Sequence, residues 1–318
     1  MGLGEIFDEA GRNGRDFRPI PFWGWNDDLE EVELRRQIRE MAKAGLGGFF
    51  MHARRGLVTP YLGPQWMECI RVAIDESRRC GMQAWLYDED CWPSGTCSGR
   101  VTHGRDHFRQ KYLVYEEVAP KDFHPTESTV ALFRARNSGT YTDFTRIQEL
   151  YHAHALRLGP DEVLIHFHFR MTDYLDVLCR DATEEFLKST HEQYRQSVGE
   201  HLGKQVPGIF TDEPSYADFG RLVWSQELPE FFRRHRGYDI TDHLPSLLWD
   251  AGDYRRVRFD FYDTVTRLFI LAWTLPIFHW SRKNKLKLCG HMLHEDTLEA
   301  QAGSIGAAMP HYEYMQIP

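Results

Sequence analysis

The sequence predicts an α/β protein of the (β/α)8 TIM-barrel type, incomplete at its C-terminal end and carrying an inserted antiparallel β subdomain. Three observations lead there. Strand and helix patterns alternate through residues 1–110; the rhythm breaks into half-exposed strand patterns over 111–172; and it resumes over 173–318, where a sixth barrel-type strand is the last element before Pro318. Strand, helix and strand at tight spacing imply right-handed βαβ units and a parallel sheet.

Ile20–Asn26 reads as the first strand, and Asp27 or Asp28 can cap the helix that follows. Leu29, Leu34, Ile38, Met41 and Ala42 form a helical stripe that stops at Gly45. Gly47–Ala53 is the next strand, and Pro64 opens a helix carrying Trp66, Met67, Ile70, Ala73 and Ile74, closed by Gly81. The third strand, residues 82–88, follows at once. Residues 113–118, 129–135, 151–157 and 163–170 alternate as in an antiparallel sheet. Helix returns over Asp181–His201, then a strand over 207–212, then helix from Ser225 to Lys285 with a break at Pro276. Strands at 286–293 and 307–314 bring the barrel count to six, where a closed barrel needs eight. The chain is therefore read as part of a longer protein.

A net charge of −9 argues against a nucleic-acid partner, because phosphate contacts need a basic face. The start, Met1–Glu9, has neither a basic nor an apolar leader region, and the longest apolar run, Leu268–Phe278, is too short to span a bilayer and contains Pro276. A cytoplasmic protein without membrane partners is expected. Cys69, Cys80, Cys91, Cys97, Cys179 and Cys289 lack metal-site spacing and read as reduced, packed thiols.

Four strand patterns run straight into carboxylates: Asp88-Glu89-Asp90, Asp212-Glu213-Pro214, Glu295-Asp296 after His291 and His294, and Glu313. In parallel α/β architectures those strand ends converge on the face that bears active sites. Converging acids suit acid/base chemistry on a polar, sugar-like substrate. Phe210-Thr-Asp-Glu-Pro214 is the sharpest signal. Pro214 should hold Glu213 extended, and strand alternation should keep Asp212 and Glu213 from sharing one role. Glu213 is the expected proton donor, its pKa raised by its surroundings, with Glu295 or Glu313 as the second catalytic carboxylate. Asp88 and Asp90 share a face and suit sugar hydroxyls or a hard cation such as calcium. His291 and His294, three apart on a strand, should point to opposite faces, and Asp296 or Thr297 can cap the next helix. Trp23, Trp25, Trp92 and Tyr312 are candidate sugar platforms, though any one aromatic more often fills a core. Asn26, His52, Asp212, His291 and His294 are candidate substrate-binding groups, and Arg54 suits either an acidic sugar or a salt bridge to the acid-rich rim. His166 and His168 lie on the outward face of an amphipathic strand and receive no catalytic role.

Taken together, Pro21-Phe-Trp-Gly-Trp-Asn26, Phe50-Met-His-Ala-Arg54, Trp85-Leu-Tyr-Asp-Glu-Asp90 with Trp92-Pro-Ser-Gly95, Phe210-Thr-Asp-Glu-Pro214 and Gly290-His-Met-Leu-His-Glu-Asp-Thr-Leu298 resemble bacterial glycoside hydrolases. The group they are most similar to is the α-L-rhamnosidase family 106 and its relatives, some linked to ulvan breakdown. The resemblance covers nearly the whole chain outside 111–172. It implies a (β/α)8 catalytic domain followed by β-rich domains, glycosidic bond cleavage in polysaccharide degradation, and bound calcium as in characterised rhamnosidases. It also implies that Glu213 occupies the fourth-strand position where barrel glycosidases keep the general acid. If the partner carboxylate lies on the seventh strand, the chain as it stands is inactive. Two other readings fit the same residues. One is a metal-dependent hydrolase on a similar barrel using His52, His291 and His294; the other is a carbohydrate-binding barrel without turnover.

Overall fold

The computed structural model describes Gly4, residues 17–217 and residues 220–318. The expectation placed on Met1–Glu9 therefore lies outside the described residues, apart from Gly4. Strands β1 (Phe22–Trp25), β2 (Gly48–Ala53) and β3 (Gln83–Tyr87) alternate with helices α1 (Glu31–Lys43) and α2 (Pro64–Arg79). Leu34 and Ile38 of α1 and nine residues of α2 are buried, as their helical spacing requires. The antiparallel strands are β4 (Arg109–Val118), β5 (Thr129–Asn137), β6 (Tyr141–Arg146) and β7 (Glu162–Leu175). Then come α3 (Arg180–Phe186), α4 (Glu192–Val198), β8 (Gly208–Asp212) and β9 (Leu222–Trp224). Helices α5 (Leu228–Arg236), α6 (Leu244–Leu248), α7 (Tyr254–Phe269) and α8 (Leu275–Lys283) lead to β10 (Lys287–His291), α9 (Leu298–Ser304) and α10 (Met309–Tyr312).

Two five-stranded sheets result. One is wholly parallel, in the order β1-β2-β3-β8-β10, and the other is antiparallel, in the order β6-β5-β7-β4-β9. Among the described residues the parallel sheet is open; a closed barrel is not formed. Its helix-facing side carries Trp23, Trp25, Phe49, Met51, Ala84, Leu86 and Ile209 in the main core. Its other side carries Phe50, Trp85, Tyr87, Phe210 and Cys289, a separate aromatic layer that Phe22 joins through ring contacts at 5.3 Å to Phe50 and 4.9 Å to Phe210.

Several expectations need correction. Residues 307–314 are not a strand: Met309–Tyr312 is a helical turn. Pro310, which has no N–H to give a ladder, fits the first turn of a helix, where none is needed. The chain meets the sheet just beyond, where Ile317 bridges Cys289 in parallel and the N–H groups of Gln316 and Ile317 donate to the Leu288 carbonyl. Residues 151–157 fall largely within short 3₁₀ turns, Leu150–Ala155, in which only Ala153 is buried. The strand that replaces them, β6, forms a hairpin with β5 around Gly139, whose φ of 95° suits a tight turn. The break expected at Pro276 is present as a π-helical turn, Ile270–Thr274, between α7 and α8. A wider turn accommodates a residue that cannot donate to the carbonyl four positions back. Likewise, a π turn at Leu187–His191 joins α3 to α4. Among the described residues, no helix is long and apolar enough to cross a membrane, and all six cysteines are free.

Candidate active site

The site forms where β8 and β10 end side by side. Their register pairs Gly290 with Thr211 and His291 with Asp212. Strand alternation puts Phe210, Asp212 and His291 on the aromatic side of the sheet with Tyr87. The Phe210 ring accordingly lies 6.0 Å from both Tyr87 and His291. Close approach of the two strands depends on Gly290. At its φ of 150°, an added Cβ would stand 2.1 Å from the Thr211 carbonyl oxygen.

Asp212 is held from two sides. The Tyr87 hydroxyl donates to Oδ2 at 2.6 Å, and His291 Nε2 lies 3.0 Å from Oδ1. Behind it, the Ser94 hydroxyl accepts from the Asp212 amide at 2.7 Å, and the Ser94 amide donates to the Asp212 carbonyl at 2.8 Å. Burial opposes charge on Asp212, but the His291 and Tyr87 hydrogen bonds outweigh it and hold the carboxyl below its usual value. The same bond to Asp212, helped by Glu213 and Glu295, raises the His291 imidazole above 6.5 against a smaller cost of burial.

Glu213 departs from the extended geometry expected before Pro214. Its φ is 49°, in the left-handed region, and its amide donates to the His291 carbonyl at 3.1 Å. That bond carries the β8–β10 pairing one residue further while the left-handed residue breaks strand alternation. Both acids therefore reach the same imidazole, Asp212 at Nε2 and Glu213 Oε1 at 3.7 Å from Nδ1. A strained non-glycine backbone at such a point is characteristic of functional sites. Glu295 arrives from the loop after β10, with Oε1 at 3.6 Å from the same Nδ1. By these two distances the Glu213 and Glu295 oxygens stand no more than about 7 Å apart.

A direct test of the His291–Asp212 pairing is the titration of the His291 ring by NMR. Asp212 favours the imidazolium, so the ring should titrate above 6.5 in the native chain and at lower pH in Asp212→Asn, where burial acts with less opposition. The raised folded-state value also means that the pair stabilises the fold fully below pH 6.5 and loses that contribution as pH rises through the folded value. An unchanged His291 titration in Asp212→Asn would contradict the pairing.

The other sequence candidates divide clearly. His52 is buried on the site side, its ring 3.7 Å from that of Tyr87. Burial first, and Arg54 next, push its pKa down to about 4 against the pull of Asp212, so it stands neutral, and its Nε2 has no hydrogen-bond partner. Asn26 and Arg54 are exposed at the adjacent strand ends. Trp92 is 44% exposed beside the cis Trp92–Pro93 peptide and is available as a platform. Trp23 and Trp25 instead face the helices. Trp23 donates to Gln37 and packs on Phe49, and Trp25 packs on Trp66, so both rings fill the core instead of meeting a ligand.

Asp88 and Asp90 do not share a ligand. Asp88 is fully buried, accepting from the Ser94 hydroxyl at 2.5 Å, and its carboxyl is pushed up to about 7 chiefly by that burial. Asp90 instead bonds the Ser98 hydroxyl and amide. A hard cation needs six to eight oxygens around one point. This pair does not fit the calcium that the resemblance implies.

Glu313 is exposed beyond α10, and among the described residues no hydrogen bond or ion pair joins it to the cluster. Tyr312 contributes indirectly: its hydroxyl accepts from the Met292 amide at 3.2 Å, steadying the backbone beside His291. His294 is exposed with a φ of 53°, on the loop that leads to the cap Thr297, whose hydroxyl accepts from the Ala300 amide. His52, His291 and His294 do not gather into a metal-holding group. Sequence reasoning missed the Tyr87 hydroxyl as a partner of Asp212, and Ser94 altogether. Period-2 alternation from Trp85 through Tyr87 was the available signal for the first; a hydroxyl folded back from a turn leaves none.

Residues 173–310, rather less than half the chain, match the family model described as alpha-L-rhamnosidase. That segment contains Asp212, Glu213, His291 and Glu295 and ends before Glu313. The solved structure of a rhamnosidase from Novosphingobium sp. PP1Y superposes on 98% of this chain with a TM-score of 0.69 at 14% identity. No curated protein matches the chain in sequence. The fold is thus that of a glycoside hydrolase. More narrowly, the chain is α-L-rhamnosidase-like, and the resemblance to family 106 read from its motifs is borne out by both comparisons. The chain spans about half the length of that rhamnosidase, 49%.

Proposed function

We propose that this chain carries the catalytic face of a glycosidase that hydrolyses terminal α-L-rhamnosides. One observation supports this above all: Asp212, Glu213 and Glu295 surround the single imidazole of His291 at the carboxyl ends of neighbouring parallel strands. Glu213 is the proton donor to the leaving oxygen. Glu295, which meets the cluster where Glu313 does not, is the second carboxylate. It either activates water or attacks the sugar. Retaining enzymes hold their carboxyl groups about 5–5.5 Å apart and inverting ones about 6.5–9.5 Å. The ceiling of about 7 Å between the Glu213 and Glu295 oxygens admits both outcomes.

In this reading His291 keeps the acids in place and favours the ionised form of Asp212, while Tyr87, held neutral by burial and by its bond to Asp212, fixes the aspartate from the far side. Trp92, Asn26 and Arg54 offer the apolar and polar contacts that a sugar needs. We place the parallel strands as the first five of a (β/α)8 barrel, with residues 111–172 as its inserted subdomain. The test is release of aryl alcohol from a panel of aryl glycosides by the protein made from its complete gene. Turnover of the α-L-rhamnoside above the other sugars is expected; silence across the panel would overturn the proposal.

A further inference from the structure

The outer face of the antiparallel sheet brings together three side chains to which the catalytic reading gives no part. In the β4–β7 pairing Glu116 stands opposite His166 and Val114 opposite His168, so the acid and both imidazoles project on one side of the sheet. Glu116 Oε1 lies 3.4 Å from His166 Nδ1 and 3.8 Å from His168 Nδ1, and all three atoms fall within 4.8 Å of one another. We propose that Glu116, His166 and His168 form a binding site for a divalent transition metal of the zinc type.

The chemistry of the donors fits. Two imidazole nitrogens and one carboxylate suit zinc and its neighbours better than calcium or magnesium, which take oxygen ligands. Tetrahedral zinc with bonds near 2.0–2.1 Å sets its ligand atoms about 3.3 Å apart. The observed spacing closes on that with side-chain adjustments of about an ångström, and Glu116 is exposed and free to make them.

Two further observations point inward to such an ion. The Nδ1 of His168 is buried and makes no hydrogen bond. The opposite nitrogen of His166, Nε2, meets the Thr129 hydroxyl at 3.1 Å, leaving Nδ1 directed at Glu116. An outer hydrogen bond that fixes ring and tautomer is the usual support of a metal-bound histidine. Beneath the cluster, Phe123 packs edge-on against His166 at 5.1 Å, and Leu132 and Leu164 complete a small apolar patch that stiffens the platform.

The ion would tie β4 to β7 across the widest pairing of the sheet, from outside the catalytic cluster. The test uses the intact chain, stripped by chelator and titrated with zinc by calorimetry and with cobalt(II) by visible absorption. One saturable site is expected. Glu116→Gln and His168→Asn should each weaken it by more than about tenfold, with circular dichroism unchanged. His291→Asn should leave it intact. Because Glu116 is exposed, its substitution decides the matter should His168→Asn fail to fold. No saturable binding at about 1 mM ion, affinity indifferent to Glu116→Gln, or loss confined to His291→Asn would each overturn the proposal.

Discussion

Glu213→Gln should lower kcat for an aryl α-L-rhamnoside by about 10²–10⁴, the range in which a positioned proton donor contributes. The substitution keeps the side chain's length and its left-handed backbone, but it removes the transferable proton. Binding of the sugar should survive, because Trp92, Asn26 and Arg54 are untouched. Melting temperature should move little, since the Glu213 amide bond to the His291 carbonyl is a backbone contact that any residue makes. An activated aryl leaving group needs less protonation, so the loss should be smaller with a nitrophenyl glycoside than with a natural disaccharide. Steady-state rates on both substrates check this. Equal and small effects on the two would remove Glu213 from the acid role and leave Glu295 as the alternative.

Glu89→Ala should cost about 3–5 kcal/mol of stability, the largest structural effect expected of any acid near the site. Glu89 is fully buried at the base of the turn that follows β3. Its carboxyl oxygens accept from the amides of Asp90, Gly95 and Cys97, each at 2.8 Å. Removing it leaves buried N–H groups without partners, at about 1–3 kcal/mol each, and opens a cavity besides. The turn it organises carries the exposed Trp92 and places Ser94 behind Asp212, so activity should fall along with stability. Urea unfolding measures the loss of stability, and steady-state kinetics measure the loss of activity. A loss under about 1 kcal/mol would show that the turn holds itself together without Glu89.

The parallel half of the fold was legible because its signals are local. Apolar strands, amphipathic helices and glycine stops recur at regular spacing from Ile20 to Tyr87, although the first helix starts after Glu30 without the side-chain cap expected from Asp27 or Asp28. The antiparallel half was less so. Tyr151–Arg157 alternates as a strand does yet folds as 3₁₀ turns, while Tyr141–Arg146, short and polar, becomes the edge strand. Alternation reports that a segment has two faces, and only tertiary contact decides whether a sheet lies beside them.

At the site, the identity of the acids could be read from the chain but their directions could not. Asp212 and Glu213 were assigned to opposite faces by strand alternation, and the left-handed turn at Glu213 brought them to one imidazole. Trp23 and Trp25 failed as sugar platforms for the complementary reason. Alternation held through β1, and it put their rings beneath the sheet. Asp88 likewise passed into the interior, where a carboxyl acts as a structural acceptor.

The backbone at Glu213 also bears on efforts to make this protein more robust. A left-handed position is one that glycine occupies without strain, so a search for stabilising replacements guided only by thermal endurance would converge there and discard the carboxylate. Hardier variants of the chain are therefore best sought on the exposed faces of α1 and α7, where rigidity and turnover do not compete for the same residue.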